Sequence, residues 1–261
     1  MKRLLLFILQ KVAHVVSKLD SRIFPFIEVV IQESQGKGSG GFSVEYEAKV
    51  AAKFLSRTNI KNPIVLDVGA NIGNYTEAIL KLAPHSKVFA FEPSLKARHK
   101  LEERFAESDS VRVVPFALGK TNYFGTLWAD FLGSGMSSLT KRKMVHFGID
   151  FKESESVEVI TLDSWSKSNN IFPDIIKLDV EGHELDVLEG GIKTIASAKI
   201  VQFELGGCNI DTRTFFQDFW YLFTECGFTI YRISTGGPIR ISFYSEIDEC
   251  FRTTNYLAVR E

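Results

Sequence analysis

Asp179, Glu181 and His183 fall within five positions of one another in the run IIKLDVEGHELDVLEGG, from Ile175 to Gly191. An apolar run that ends in an aspartate and turns through a glycine aims two carboxylates and an imidazole out of the end of a buried strand. Burying that charge is costly unless a cation or a proton in transit compensates it. His183 is the first choice as general base for a weakly acidic hydroxyl, Asp179 the second, and Glu181 completes the catalytic set. Glu204 takes the matching place after Phe203 in KIVQFEL. One carboxylate beyond each of two neighbouring strands suits Mg²⁺ held by few protein oxygens and several waters, so Asp179 and Glu204 are candidate metal ligands. The plainer alternative for this cluster is a set of helix-capping acids with a surface histidine.

A second constellation lies upstream in IVLDVGANIGNYTEAIL, Ile64 to Leu80. Its strand, glycine turn and helix place a loop at the carboxyl end of a strand, where open α/β sheets bind ligands. Gly69 and Gly73 are separated by Ala70, Asn71 and Ile72, so the middle glycine that lets a pyrophosphate approach the backbone is missing from the dinucleotide pattern G-x-G-x-x-G. S-adenosylmethionine has no pyrophosphate. Its amino-acid end needs polar groups and backbone N–H donors, which Asp67, Asn71 and the start of the next helix could supply. Glu92 ends the strand KVFAFEP and can accept both hydroxyls of a ribose. Ala117 and Leu118, at the end of VRVVPFALG, could meet an adenine through a backbone N–H and an apolar side chain. NAD and S-adenosylmethionine both carry adenosine, so the spacing alone leaves a nicotinamide oxidoreductase open beside a methyltransferase.

The elements that must hold these residues alternate between strand and helix, the signature of a parallel sheet covered on both faces. Strands are expected at Ile64–Val68, KVFAFEP, VRVVPFALG, Pro173–Val180, KIVQFEL, FTIYRIS and TNYLAVR. FGTLWAD and SVEVITLDSW read as an antiparallel excursion, Glu184 to Ala196 as one helix, and Gly227 as the end of another. The stretch GSGMSS, Gly133 to Ser138, reads either as a lid over the acceptor or as an ordinary hairpin loop.

DVGANIG, FEP, TLDS and IIKLDVEGHELDVLEGG followed by QFE together resemble the FkbM family of S-adenosylmethionine-dependent methyltransferases, in order from about Tyr46 to Leu205. The resemblance implies a class I methyltransferase fold, Rossmann-like, with a seven-stranded, mostly parallel sheet whose last strand is antiparallel. It implies methylation of a hydroxyl, on a glycan sugar or a glycosylated or polyketide small molecule. Carried over by position, Asp67, Gly69, Asn71 and Gly73 form the methionine-side loop, Glu92 the ribose acceptor, and Asp179 to His183 the catalytic edge. A cofactor-binding scaffold without catalysis is the non-enzymatic alternative.

With 261 residues the chain can bury one sizeable core, and 45% hydrophobic with 24% charged residues is ordinary for a globular protein. A net charge of -1 gives no field to gather nucleic acid. Cys208, Cys226 and Cys250 lack metal or disulfide spacing and read as reduced thiols of a cytoplasmic protein. The opening MKRLLLFIL is too short to span a bilayer and lacks a cleavage site, and Leu5, Ile8, Leu9, Val12, Val15, Val16 and Leu19 repeat at helical spacing. This amphipathic helix could pack on the catalytic domain, pair with a second copy, or lie on the inner face of a membrane. Residues 1–41 are expected to hold helices and a flexible joint, Gly36 to Gly41, and residues 42–261 the catalytic domain.

Overall fold

The computed structural model of the protein describes residues 2–18, 20–38 and 43–260. In chain order the elements are α1 (Lys2–Val16), α2 (Phe24–Ser34), α3 (Val44–Leu55), β1 (Ile64–Val68), α4 (Asn74–Leu82), β2 (Lys87–Phe91), α5 (Leu95–Arg104), β3 (Val111–Val114), β4 (Ala117–Leu118), β5 (Tyr123–Ala129), β6 (Glu153–Ile160) and α6 (Leu162–Asn169). They continue as β7 (Ile175–Leu178), α7 (Glu184–Glu189), α8 (Ile192–Ile195), β8 (Ile200–Leu205), α9 (Cys208–Thr212), α10 (Phe216–Glu225), β9 (Thr229–Ser234), β10 (Gly237–Ile241) and β11 (Thr254–Val259).

The central sheet runs β10-β9-β11-β8-β7-β1-β2-β3. β3, β2, β1, β7 and β8 are parallel neighbours, as their continuous apolar runs require when both faces are covered. β11 runs antiparallel between β8 and β9. This is the class I methyltransferase fold with its antiparallel last strand. The central sheet has eight strands rather than seven, because Ser234 pairs with Gly237 across the loop Thr235–Gly236 and β10 folds back on β9. Gly237, with φ +111°, supplies the backbone conformation that closes this turn.

The expected third strand is divided. Pro115 has no N–H to continue the ladder, so β3 ends at Val114 and β4 leaves to pair with β6 in a second, three-stranded sheet, β4-β6-β5. β5 and β6 form the anticipated antiparallel excursion. β6 stops at Ile160, and Thr161 Oγ1 accepts from Ser164 N to start α6, so TLDSW is not strand. The helix expected from Glu184 to Ala196 breaks at Gly190–Gly191. A Cβ on Gly190 would overlap the carbonyl oxygen of Gly119, so these two loops meet backbone to backbone.

One face of the sheet packs Phe203 and Tyr256 against Phe216, Phe219 and Phe223 of α10. The other packs α3 and α4 through residues such as Phe54 and Ile79. The anticipated joint lies partly outside the described residues, as does the boundary at 41. Its described part, Gly36–Gly38, is docked: Gly38 N donates to Thr254 Oγ1 at 2.9 Å, and a Cβ on Gly36 would overlap the Ile233 carbonyl.

Candidate active site

Strand register assembles the site. Val68 is level with Phe91 and Leu178, and Leu178 with Phe203. The next residue of each strand therefore falls in one row along the carboxyl edge: Gly69, Glu92, Asp179 and Glu204. β1 is the strand from which the chain proceeds outward in both directions, the place where α/β sheets open a ligand crevice.

At Gly69 the φ is +80°, and both Gly69 N and Ala70 N donate to Phe91 O, at 3.1 and 2.9 Å. Asn71 is also left-handed, with φ +48°. Its N–H donates to Glu92 Oε2 at 2.8 Å, while Ser94 N donates to Glu92 Oε1 at 2.8 Å. Burial lifts the Glu92 carboxyl to about 7 against the pull of those two N–H groups. An ionised Glu92 is the better acceptor for ribose hydroxyls, so cofactor affinity is expected to fall as pH drops below about 7, by up to about tenfold per pH unit. Titration calorimetry from mildly alkaline to mildly acid pH measures this, and a flat profile would separate Glu92 charge from cofactor binding.

These residues border a cavity with about 580 Å³ of open space. Gly69, Asn71 and Glu92 form its floor, Ala117 and Leu118 one wall, and Asp179, Glu181 and His183 the far end. Asp67 and Gly73, expected on the cofactor, do not line it. Asp67 is fully enclosed, accepts from Thr76 Oγ1 at 2.6 Å and lies 3.7 Å from Lys177 Nζ. Gly73, with φ +85°, lets Leu101 and Phe105 pack against the loop. Both residues shape the loop from behind.

The GSGMSS segment lies over the cavity, with Ser134, Gly135 and Ser137 in its lining. Ser138 Oγ donates to Glu181 O at 2.8 Å, and a Cβ on Gly135 would come 2.8 Å from Asn71 Nδ2. Behind it, Thr140 Oγ1 lies 2.9 Å from His183 Nε2, and His183 Nδ1 lies 2.7 Å from Asp186 Oδ2. A carboxylate only accepts, so Nδ1 carries a proton, and in the neutral imidazole Nε2 turns its lone pair toward Thr140. Arg142 Nη1 donates to Glu181 Oε2 at 2.5 Å. Burial nevertheless raises the Glu181 carboxyl to about 8, with Asp179 adding to the rise and Arg142 opposing it.

Lys177 Nζ donates to Asp179 Oδ2 at 3.0 Å. Burial works against its charge, but Asp179 and Asp67 overcome that and hold the ammonium above the ordinary lysine range. Asp67, Lys177 and Gln202 are level in register and share one sheet face. Tyr75 and Glu47 extend this buried polar row, donating to and accepting from Gln202 respectively. Glu184 secures the catalytic turn, its carboxylate accepting from Val180 N at 2.9 Å and Gly182 N at 3.1 Å.

Sequence reasoning missed Lys177, Thr140, Arg142, Glu184 and Asp186. A lysine inside an otherwise apolar strand was a signal for Lys177, and helical spacing from His183 was one for Asp186. Asp179 and Glu204 fit a metal ion poorly. Lys177 already occupies an Asp179 oxygen, and Glu204 does not line the cavity. Among the described residues no three His, Cys, Asp or Glu side chains gather to hold a metal.

Residues 67–230 match the family profile described as Methyltransferase FkbM domain. The chain belongs to the FkbM methyltransferase family. It is 28% identical over 170 residues to 2-O-methyltransferase NoeI of Sinorhizobium fredii, covering 60% of this chain and 68% of that relative. It is 30% identical over 146 residues to Hexuronic acid methyltransferase AglP of Haloferax volcanii, covering 56% of each. Among solved structures, Methyltransferase FkbM from Methylobacillus flagellatus KT aligns at 16% identity and TM-score 0.46, over 76% of this chain and 44% of that one. As an FkbM methyltransferase the protein uses S-adenosylmethionine. Asn71 Oδ1, buried without a protein partner beside the cavity, suits a cofactor that brings N–H donors.

Proposed function

We propose that this protein O-methylates a hydroxyl of a sugar, on a glycan or a glycosylated small molecule. The observation that carries this reading is the Asp186–His183 pair, with His183 lining the catalytic end of the cofactor cavity and its Nε2 within hydrogen-bond distance of a hydroxyl, that of Thr140. The names of NoeI and AglP, one a 2-O-methyltransferase and one acting on hexuronic acid, support the sugar as acceptor. When bound, S-adenosylmethionine supplies a methyl group on a positively charged sulfur. The chain must then hold an acceptor oxygen in line, exclude water and remove one proton.

An acceptor hydroxyl that takes the place of Thr140 Oγ1 donates to His183 Nε2, and Asp186 stabilises the imidazolium as the proton arrives. Asp179, bonded by Lys177 at the strand end, would face the positively charged end of the cofactor. The hydrogen bond from Arg142 to Glu181 Oε2 and the Ser138 bond to Glu181 O fix the turn that carries the histidine. No step needs a metal.

The test is turnover with isotopically labelled cofactor and a panel of free and glycan-linked sugars, with the methylated product located by mass spectrometry. Product at a hydroxyl is expected. Transfer only to nitrogen or carbon acceptors would overturn the reading. Chelation by EDTA is expected to leave turnover within a factor of about two, and Glu204→Gln to remain active, because metal-assisted deprotonation is not required. Loss of activity on chelation, restored by Mg²⁺, would return Asp179 and Glu204 to the metal role.

A further inference from the structure

We propose that α1 and α2 form a docking surface for an anionic lipid bilayer, and that they hold the catalytic edge of the sheet beside it. The inference rests on the sugar-methyltransferase reading only for its consequence, that the acceptor is presented at a lipid surface.

The apolar surface comes first. In α1, Leu6, Phe7, Ile8, Leu9, Val12 and Val15 are all exposed, and in α2 no residue is buried. Phe26 is 73% exposed and Val30, one turn on, 67%. Ile27 and Ile31 continue the same surface toward Ile247 of the catalytic body, which is also exposed. Scattered exposed apolar residues need no explanation, but a run of them on each of two successive helices does. α1 is 15 residues long, and no described helix is long and apolar enough to cross a membrane. An apolar face of that length lies in the plane of an interface.

Charge chooses the occupant. From Met1 to Leu19 the sequence contains Lys2, Arg3, Lys11, His14 and Lys18 and no aspartate or glutamate, so the cationic part of the surface is α1, while α2 carries Glu28 and Glu33, the latter paired with Arg252. Apolar side chains interleaved with an excess of cations complement anionic headgroups over a hydrocarbon boundary. A second copy of the same segment would bring like charges together.

The attachment of α2 gives the surface its meaning. Arg252 Nη1 donates to Gln32 Oε1 and Arg252 Nη2 to Glu33 Oε1, both at 3.1 Å. Arg232 Nη1 donates to Gln35 O at 3.4 Å, and Lys37 Nζ donates to Ile247 O. Thr254, which accepts from Gly38 N, pairs in register with Leu205 at the carboxyl end of β8. α2 is therefore fastened to the sheet edge that carries Asp179 and His183, so docking it brings the active site toward the lipid.

Sedimentation of the full chain with sucrose-loaded vesicles tests this, using phosphatidylcholine alone and phosphatidylcholine mixed with phosphatidylglycerol. Binding is expected to the anionic vesicles, weaker by about tenfold or more on neutral ones and in high salt. Phe26→Glu with Val30→Glu is expected to reduce it by about tenfold or more while S-adenosylmethionine affinity stays unchanged. Since vesicle binding needs no turnover, it can fail or succeed independently of the acceptor chemistry. Absence of binding to anionic vesicles would overturn the proposal. So would undiminished binding by the double variant, or a solution dimer of the wild type that the double variant dissolves while vesicles are ignored.

Discussion

Replacing His183 by alanine is expected to lower methyl transfer by about a hundredfold or more, the usual scale for losing a general base, while S-adenosylmethionine affinity changes by less than about threefold. The separation follows from geometry: His183 closes the far end of the cavity, whereas Gly69, Asn71 and Glu92 form its floor. Single-turnover rates with saturating cofactor measure the loss, and added imidazole should return part of it. Asp186→Asn is expected to show a smaller version of the same defect, because an amide can donate as well as accept and no longer forces the proton onto Nδ1. Thr140→Val is the informative control. If Thr140 merely holds the place of an acceptor hydroxyl, the variant keeps most of its rate. Wild-type turnover in His183→Ala would move the base elsewhere, with Asp179 the next residue to substitute.

The second large effect concerns folding. Gly69→Ala is expected to destabilise the protein by more than about 4 kcal/mol, the range reserved for a forced backbone shift added to an unfavourable φ. A Cβ at Gly69 would overlap the carbonyl oxygen of Asp179, which is main chain and cannot swing aside, and the φ of +80° disfavours any side chain. The sequence pattern placed this glycine in a cofactor loop, whereas the nearest obstacle is the main chain that follows β7. Urea denaturation or the yield of soluble protein reads the effect. Gly135→Ala is the contrast: its Cβ would meet only the end of the Asn71 side chain, so stability should hold while cofactor affinity drops. A well-folded Gly69→Ala with wild-type stability would mean that β1 and β7 separate more easily than their register suggests.

These two cases mark how far the sequence could be read. Gly69, Glu92, Asp179 and Glu204 were legible because each follows an apolar strand, and in a parallel sheet strand ends share one edge whatever the exact register. Glu92 and Asp179 could thus be placed near a ligand without any contact map. Asp67 was misread because a strand-end acid looks the same from sequence whether it faces the cleft or, as here, Thr76 and Lys177. Thr140 and Arg142 were out of reach. They come from an irregular segment about forty positions from His183 and Glu181, and only the tertiary path of that segment brings them in. The split of the third strand had its cause in plain view at Pro115, but the apolar run continued through Phe116 to Leu118 and hid it.

That split has a thermodynamic consequence. Because the chain leaves the central sheet at Pro115, Ala117 and Leu118 belong to the same small sheet as β5, whose end leads into the GSGMSS segment over the catalytic end. The wall that would meet the adenine and the cover that would meet the acceptor are thus one piece of structure. A substitution that shifts this small sheet should therefore change cofactor and acceptor affinity together, and any coupling between the two ligands must be reciprocal.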